Sequence, residues 1–249
     1  MGLTNNEIIT ALLMTARHKA ITAEIYQRAI FGAVNEKTRL QVEALIKRIR
    51  GKYIESEPLF WKRRYYRPTL RLTRRFGLPE ECAEPLGAQA LCKAYAYSYF
   101  CCMRSVPFIR LTRPRLQKLD PRHWEEFLSK SGAFYSDYCQ AEVGYVPWIS
   151  RMQVDLGGDY QRFLSTCRET LAECLEKEAI RGLLDDDCFR FTIITGEERK
   201  KESFQAALDE RPLGVPTHIF VVPDLTDLIG QNLAGKEEPN VVHSNGGAI

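Results

Sequence analysis

The sequence has few metal-binding residues and none of the short motifs that mark common cofactor sites. Only four histidines occur in 249 residues, none of them near a cysteine at zinc-ligand spacing, and the eight cysteines form no CxxC pair. These absences exclude the usual zinc frameworks. GxxxxGK[ST], GxGxxG after a strand, GxSxG and HExxH are absent as well, which excludes the enzyme classes that those motifs identify. We therefore expect no resident cofactor, and reduced, buried cysteines.

Targeting signals and long apolar runs are also missing. The first residues, MGLTNNEIITALLM, carry Glu7 inside their apolar stretch and have no basic residue before it, unlike a secretory signal. The most apolar later run, Ala94–Met103, spans ten residues, whereas a membrane-spanning helix needs about 20. We expect a cytoplasmic protein that does not contact a membrane.

Charge, by contrast, is abundant and unevenly distributed. Residues 1–119 hold 22 Lys and Arg against 9 Asp and Glu, whereas residues 120–249 hold 13 against 23. The formal net charge of +3 therefore hides a basic half and an acidic half. This asymmetry indicates two domains with different partners, or two domains that dock on each other electrostatically.

The basic charge is densest in residues 35–75. Between Lys37 and Arg75 lie 13 Lys and Arg and only 3 Glu. Nucleic-acid phosphate is the commonest partner that neutralises such a concentration of positive charge. Cap residues at Thr4 or Asn5, at Thr22 and at Asn35 predict three successive helices. Aromatic and β-branched residues then predict a hairpin with strands at 59–66 and 68–73.

Three helices followed by a basic hairpin is the order that a winged helix requires. The N-terminal part of the third helix would meet base edges, and the hairpin arginines would bind phosphates or enter a minor groove. The predicted DNA-binding residues are Lys37, Arg39, Gln41, Lys47, Arg48, Lys62, Arg63, Arg64, Arg67 and Arg71. We expect double-stranded DNA as the partner. RNA, an acidic protein or the acidic half of this chain are the alternatives.

The C-terminal half alternates apolar strands with amphipathic helices, which predicts a mixed α/β sheet covered by helices. The predicted fold class is α/β: an N-terminal winged helix-turn-helix, then an α/β domain of restriction-endonuclease-like topology. We predict a winged helix over 1–78, a connecting helix and extended segment over 79–118, an α/β domain over 119–230 and a disordered tail over 231–249. The acidic domain is a candidate surface for a protein partner, and a homodimer is a further possible assembly.

Two carboxylates in this half have the order of a metal-dependent nuclease core. Asp137 and Asp155 lie on successive predicted strands, as Mg²⁺ ligands of such an enzyme do. The lysine expected two residues after Asp155 is replaced by Gly157. The other charged side chains that could act here are Glu142, Asp159, Arg162 and Arg168. Acids at strand ends and a helix cap are the structural alternative, so we assign no catalytic residue and no metal site; Mg²⁺ belongs only to the nuclease alternative.

Five segments carry a resemblance to a known family: ITAEIYQRAI at 21–30, TRLQVEALIKRI at 38–49, LRLTRRFG at 70–77, VDLGGDYQRFLSTCRE at 154–169 and FRFTIITGEE at 189–198. In residue pattern and element order the chain resembles the replication-relaxation family of plasmid and mobile-element proteins. The resemblance implies a winged-helix DNA binder joined to a nuclease-like domain, often degenerate. It implies a role in transcription regulation, or in replication or mobilisation of a plasmid or mobile element. A protein-binding adaptor remains a third alternative.

Overall fold

The computed structural model describes residues 3–128, 133–141 and 148–233, which form two units with a shared core. The first unit contains α1 (Asn5–His18), β1 (Ile21–Thr22), α2 (Ala23–Phe31), α3 (Glu36–Ile49), β2 (Ile54–Pro58), β3 (Arg64–Pro68) and α4 (Leu70–Phe76). A 3₁₀ turn then leads to the second unit. That unit contains α5 (Ala88–Met103), β4 (Phe108–Thr112), α6 (Arg113–Leu119), β5 (Tyr135–Ala141), β6 (Ile149–Val154), α7 (Tyr160–Leu175), α8 (Glu178–Asp185), β7 (Phe189–Thr195), α9 (Glu198–Glu210), β8 (Thr217–Val221) and α10 (Leu225–Leu233).

The first three helices begin at the predicted cap residues. Thr4, Thr22 and Asn35 each accept a hydrogen bond from an amide of the first turn, and Thr4 and Asn35 complete capping boxes. Side-chain caps satisfy amides that have no partner within the helix, which explains why these starts are readable locally. The prediction of three helices is confirmed.

The hairpin follows them, but it lies earlier in the chain than predicted. Its strands are β2 and β3, and they pair antiparallel beside β1 in the order β1-β3-β2. The predicted second strand at 68–73 is wrong, because Thr69 caps α4 by accepting a hydrogen bond from the Leu72 amide at 3.4 Å. Arg71 therefore lies on a helix.

The second unit is built on a five-stranded sheet with the order β4-β5-β6-β7-β8. The first three strands are antiparallel, and β6, β7 and β8 are parallel. Helices α5 and α10 cover one face of the sheet, whereas α7, α8 and α9 cover the other. The predicted α/β fold class, with helices on a mixed sheet, is confirmed.

The second unit begins earlier than the predicted boundary at 119. Strand β4 is part of its sheet and α5 is part of its core, so residues 88–112 do not form a connection. The two units also share one apolar cluster, in which Leu59 and Phe60 of the first unit meet α5 and α10. At the other end, α10 extends through Gln231 into the predicted tail, and residues 234–249 lie outside the described residues.

No helix in the described ranges combines the length and the apolar character needed to cross a bilayer.

Candidate nucleic-acid interface

Helix α3 is fixed in place by its cap and by its buried side. The Asn35 carboxamide oxygen accepts a hydrogen bond from the Thr38 amide at 3.0 Å, and the Thr38 hydroxyl accepts one from the Asn35 amide at 3.1 Å. The Thr38 hydroxyl also lies 3.0 Å from Gln27 Oε1 and is buried. The inward apolar residues are Val42, Leu45, Ile46 and Ile49. The outward residues of α3 therefore have a defined position.

The outward side of α3 carries a stripe that we call the α3 face: Lys37, Leu40, Gln41, Ala44, Lys47 and Arg48. These residues recur at spacings of three and four, so they share one side of the helix. Lys37 and Lys47 are about 15 Å apart along the helix axis. The residues of the α3 face that lie between these two lysines are uncharged, and Leu40 is 54% exposed. Such a surface suits a major groove, with cations meeting phosphates at the groove edges.

Arg39 was predicted to contact DNA, but it lies on the neighbouring stripe of α3 and is already paired. Its Nη2 atom lies 2.6 Å from Glu36 Oε1, and its Nη1 atom pairs with Glu43. The hydrogen bond from Arg39 to Glu36, together with the charges of both carboxylates, raises the pKa of Arg39. These acids offset its attraction for phosphate, so we do not include Arg39 in the α3 face.

A second group of cations lies where α3 gives way to the hairpin and α4; we call Lys52, Tyr53, Arg71 and Arg75 the Tyr53 cluster. Lys52 Nζ lies 5.1 Å from the Tyr53 ring centroid, and Arg71 Cζ lies 5.5 Å from it. Partial burial acts to raise the pKa of Tyr53, but the charges of the three cations hold it below its ordinary value. In the described parts of the chain no acid forms an ion pair with these cations. Only Arg71 of this cluster was among the predicted contacts.

The turn between β2 and β3 is docked on the second unit and does not project as a free wing. Phe60 is 4% exposed and packs edge-on against Tyr95 of α5, with ring centroids 6.5 Å apart. Arg63 pairs with Asp224 at 2.6 Å and with Glu24 at 3.5 Å. The structure thus places Arg63 at the junction of the units, and we remove it from the DNA contacts.

The other hairpin cations divide into buried and exposed groups. Arg67 is 8% exposed; it donates to the Ala83 carbonyl and pairs with Glu57 at 2.7 Å and with Glu55. Its guanidinium is therefore structural, and we remove it from the DNA contacts as well. Arg64 donates to the Ser56 carbonyl at 2.8 Å across the hairpin and stays exposed, as does Lys62.

Asp137 and Asp155, the carboxylates of the nuclease alternative, hold different cations. Asp137 Oδ2 lies 3.2 Å from Arg151 Nη1. Extending the β5–β6 pairing by one residue places Asp137 opposite Met152. Asp155 is three residues further along β6, a distance of about 10 Å. The structure does not bring these two carboxylates together.

Asp155 lies at the carboxyl end of β6, where its side chain is 3% exposed. Lys200 Nζ, from α9, lies 2.9 Å from Asp155 Oδ2, and the Thr195 hydroxyl lies 3.3 Å from the same oxygen. The Gly157 amide donates to Oδ1 at 2.9 Å. The lysine beside Asp155 therefore comes from α9, and not from the position two residues after Asp155 where it was expected. Sequence spacing could not indicate it, because 45 residues separate the two.

Asp159 and Arg168, two of the remaining predicted substitutes, contribute to the local fold. Asp159 caps α7 by accepting a hydrogen bond from the Arg162 amide at 2.9 Å. Arg168 donates to the Arg211 carbonyl at 3.3 Å. Glu142 lies outside the described residues. Across 3–128, 133–141 and 148–233, no three His, Cys, Asp or Glu side chains gather as a metal-ligand group.

No protein-family model matches this chain. A search of curated proteins likewise finds no significant match.

Proposed function

We propose that this protein binds double-stranded DNA through the α3 face, with the Tyr53 cluster on the phosphates that flank the groove. The observation that carries the proposal is the arrangement of cations around an uncharged centre. Within the described residues Lys37, Lys47 and Arg48 form no ion pair, so their charge is available to phosphate. Phosphate neutralisation supplies most of the affinity of such surfaces, and base edges supply the specificity.

The unequal charge of the two halves supports an external polyanion. Among the ion pairs of the described ranges, only Arg63–Asp224 joins the first unit to the second. The other junction contacts are an apolar cluster and uncharged hydrogen bonds, such as that from the Tyr135 hydroxyl to the Ala16 carbonyl at 2.6 Å. The two units therefore do not neutralise each other where they meet, which disfavours mutual docking as the reason for the basic segment.

Under this proposal the first unit is a winged helix whose third helix reads the groove, while its hairpin turn anchors the second unit. The second unit, with an antiparallel β4-β5-β6 meander followed by parallel strands, is a restriction-endonuclease-like domain without catalytic function that offers an acidic surface to a partner or a second copy. The resemblance to replication-relaxation proteins supports a role in regulation, replication or mobilisation of a plasmid or mobile element. Eight free cysteines agree with a cytoplasmic location.

Affinity for a mixed-sequence duplex at fixed salt tests the proposal. Removing both charges in Lys47→Gln/Arg48→Gln should weaken binding about tenfold or more, because two phosphate contacts are lost. Leu40→Glu should weaken it too, since it places an anion at the centre of the α3 face.

The matched control is Arg181→Gln/Arg199→Gln, which removes two exposed charges from the second unit. This variant should bind as the unaltered protein does. Equal affinity in all the variants would contradict the proposal. A defined protein that co-purifies, together with no binding to any duplex, would favour the adaptor alternative.

The Lys200–Asp155 contact supports a second candidate function, that of a metal-dependent nuclease centred on Asp155. A lysine beside a carboxylate at a strand end is an arrangement that can orient an attacking water. Incubation of supercoiled plasmid with the protein and Mg²⁺ or Mn²⁺ tests it. Cleavage that is lost in Asp155→Asn and in Lys200→Met, but retained in Lys201→Met, would establish the enzyme.

A further inference from the structure

Two cavities meet at Arg104, where α5 ends between the two units. One, of about 440 Å³, lies beside α1 and α2 and includes Arg17 and Arg28 in its wall. The other, of about 270 Å³, lies against the sheet near the start of the parallel strands. Arg104 and Phe108 line both cavities, so the two adjoin at these side chains, and we refer to the adjoining pair as the cleft.

Arg104 is a half-buried cation held by aromatic rings. Its Cζ atom lies 5.0 Å from the ring centroids of Phe100 and Phe108 and 5.5 Å from that of Phe220. Nδ1 of His218 lies 3.5 Å from Nη1 of Arg104. Within the described ranges no carboxylate pairs with Arg104. Stacking fixes the plane of the guanidinium and leaves donors at its edge for an anion.

The wall of the smaller cavity also offers a flat ring and hydroxyl groups. Trp148 is 48% exposed, and the Arg190 guanidinium lies 5.1 Å from its ring. On the sheet, the Ser150 and Thr192 hydroxyl oxygens lie 2.6 Å apart. A planar ring can stack with a base, and the hydroxyls can bond to its polar edge.

We propose that this cleft binds a single nucleic-acid strand, with one base on Trp148 and an adjoining phosphate at Arg104. A duplex keeps its bases stacked inside the helix, so only an unpaired strand presents a base to such a pocket. The larger cavity adjoins the smaller one at Arg104 and includes Arg28 in its wall, so the next phosphate would meet a second cation there. A free nucleotide has the same chemistry but does not need this second cation. The inference goes beyond duplex binding at the α3 face and does not depend on it.

Binding of a labelled oligo(dT) strand of about 12 nucleotides, measured by fluorescence anisotropy, tests the inference. We expect Trp148→Ala and Arg104→Gln each to weaken binding at least about fivefold, the loss typical of one stacked base. Trp61→Ala removes a tryptophan that is 75% exposed and outside the cleft, and it should leave affinity unchanged. Strand binding should quench tryptophan fluorescence in the unaltered protein and not in Trp148→Phe.

Three further comparisons make the result decisive. Lys47→Gln/Arg48→Gln should weaken duplex binding and change strand binding less than about twofold, whereas Trp148→Ala should do the opposite. Absence of saturable strand binding, or full affinity in Trp148→Ala, would overturn the inference. Thymidine monophosphate that binds as tightly as the strand would also overturn it, since the cleft would then be a nucleotide pocket. Because Trp148 is half-exposed, its replacement tests the cleft even if Arg104→Gln fails to fold.

Discussion

The docked hairpin turn makes a prediction that separates an anchor from a DNA-contacting wing. Phe60 is 4% exposed, and its ring contacts Tyr95 and lies 5.3 Å from the Arg63 guanidinium. Replacing a buried phenylalanine by alanine costs about 3–5 kcal/mol through lost transfer free energy and the cavity left behind. Phe60 lies at the edge of its apolar cluster, where neighbouring side chains can partly fill the cavity that truncation leaves. We therefore expect Phe60→Ala to lower the free energy of unfolding by about 3 kcal/mol.

Urea denaturation followed by circular dichroism measures this change. The neighbouring Trp61 is 75% exposed, so Trp61→Ala should change the free energy of unfolding by less than about 0.5 kcal/mol. Duplex affinity should stay the same in both variants where they remain folded, because the α3 face is untouched. A stability loss below about 1 kcal/mol in Phe60→Ala would refute the docked turn. Weaker duplex binding in Trp61→Ala would restore the turn as a DNA contact.

Two other predictions concern a buried carboxylate and a buried histidine. Lys200→Met should lower the free energy of unfolding by about 2 kcal/mol, because it leaves the Asp155 carboxylate buried without its cation; Lys201→Met, whose partner is exposed, should change it by less than about 0.5 kcal/mol. Burial, and then the charges of nearby arginines, lower the pKa of His18 well below 6.5. The unfolded chain therefore binds more protons below about pH 6.5, and stability should fall there by up to about 1.4 kcal/mol per pH unit. His18→Gln should flatten that slope in denaturation curves at several pH values; an unchanged slope would contradict the assignment.

Local signals in the sequence were enough to predict the first three helices. Thr4, Thr22 and Asn35 act on amides within their own first turn, so their effect does not depend on the rest of the fold. Apolar strands such as β7 were also predictable, because a strand between parallel neighbours with helices on both faces has a continuous apolar run.

The hairpin could not be placed in the same way, because its signal has a tertiary origin. Leu59 and Phe60 are apolar because they pack against α5, yet their pattern is that of a strand. Thr69 is β-branched, which favours a strand, but in the fold it caps α4. Tertiary packing overrides strand propensity at Leu59 and Phe60, whereas a local helix cap does so at Thr69.

The candidate nucleic-acid interface also combines features set by local sequence with features set by tertiary contacts. Helical spacing predicts the cations of the α3 face and is also consistent with the pairing of Arg39 with Glu36 and Glu43 on the same helix. The pairing of Arg63 and Arg67 could not be predicted in this way, because it depends on other elements. The contact between Asp155 and Lys200 arises because β6 and β7 are parallel neighbours, so α9, which follows β7, begins beside the carboxyl end of β6. No short sequence motif encodes that proximity.

The salt dependence of duplex affinity tests the central claim most directly. The α3 face and the Tyr53 cluster together present six cations, so the slope of log affinity against log salt should be about −5. Each removed phosphate contact should reduce its magnitude by about 1, so that Lys52→Gln/Arg71→Gln reduces it by about 2. A flat dependence on salt, or a slope that neither this variant nor Lys47→Gln/Arg48→Gln changes, would contradict DNA binding by this surface.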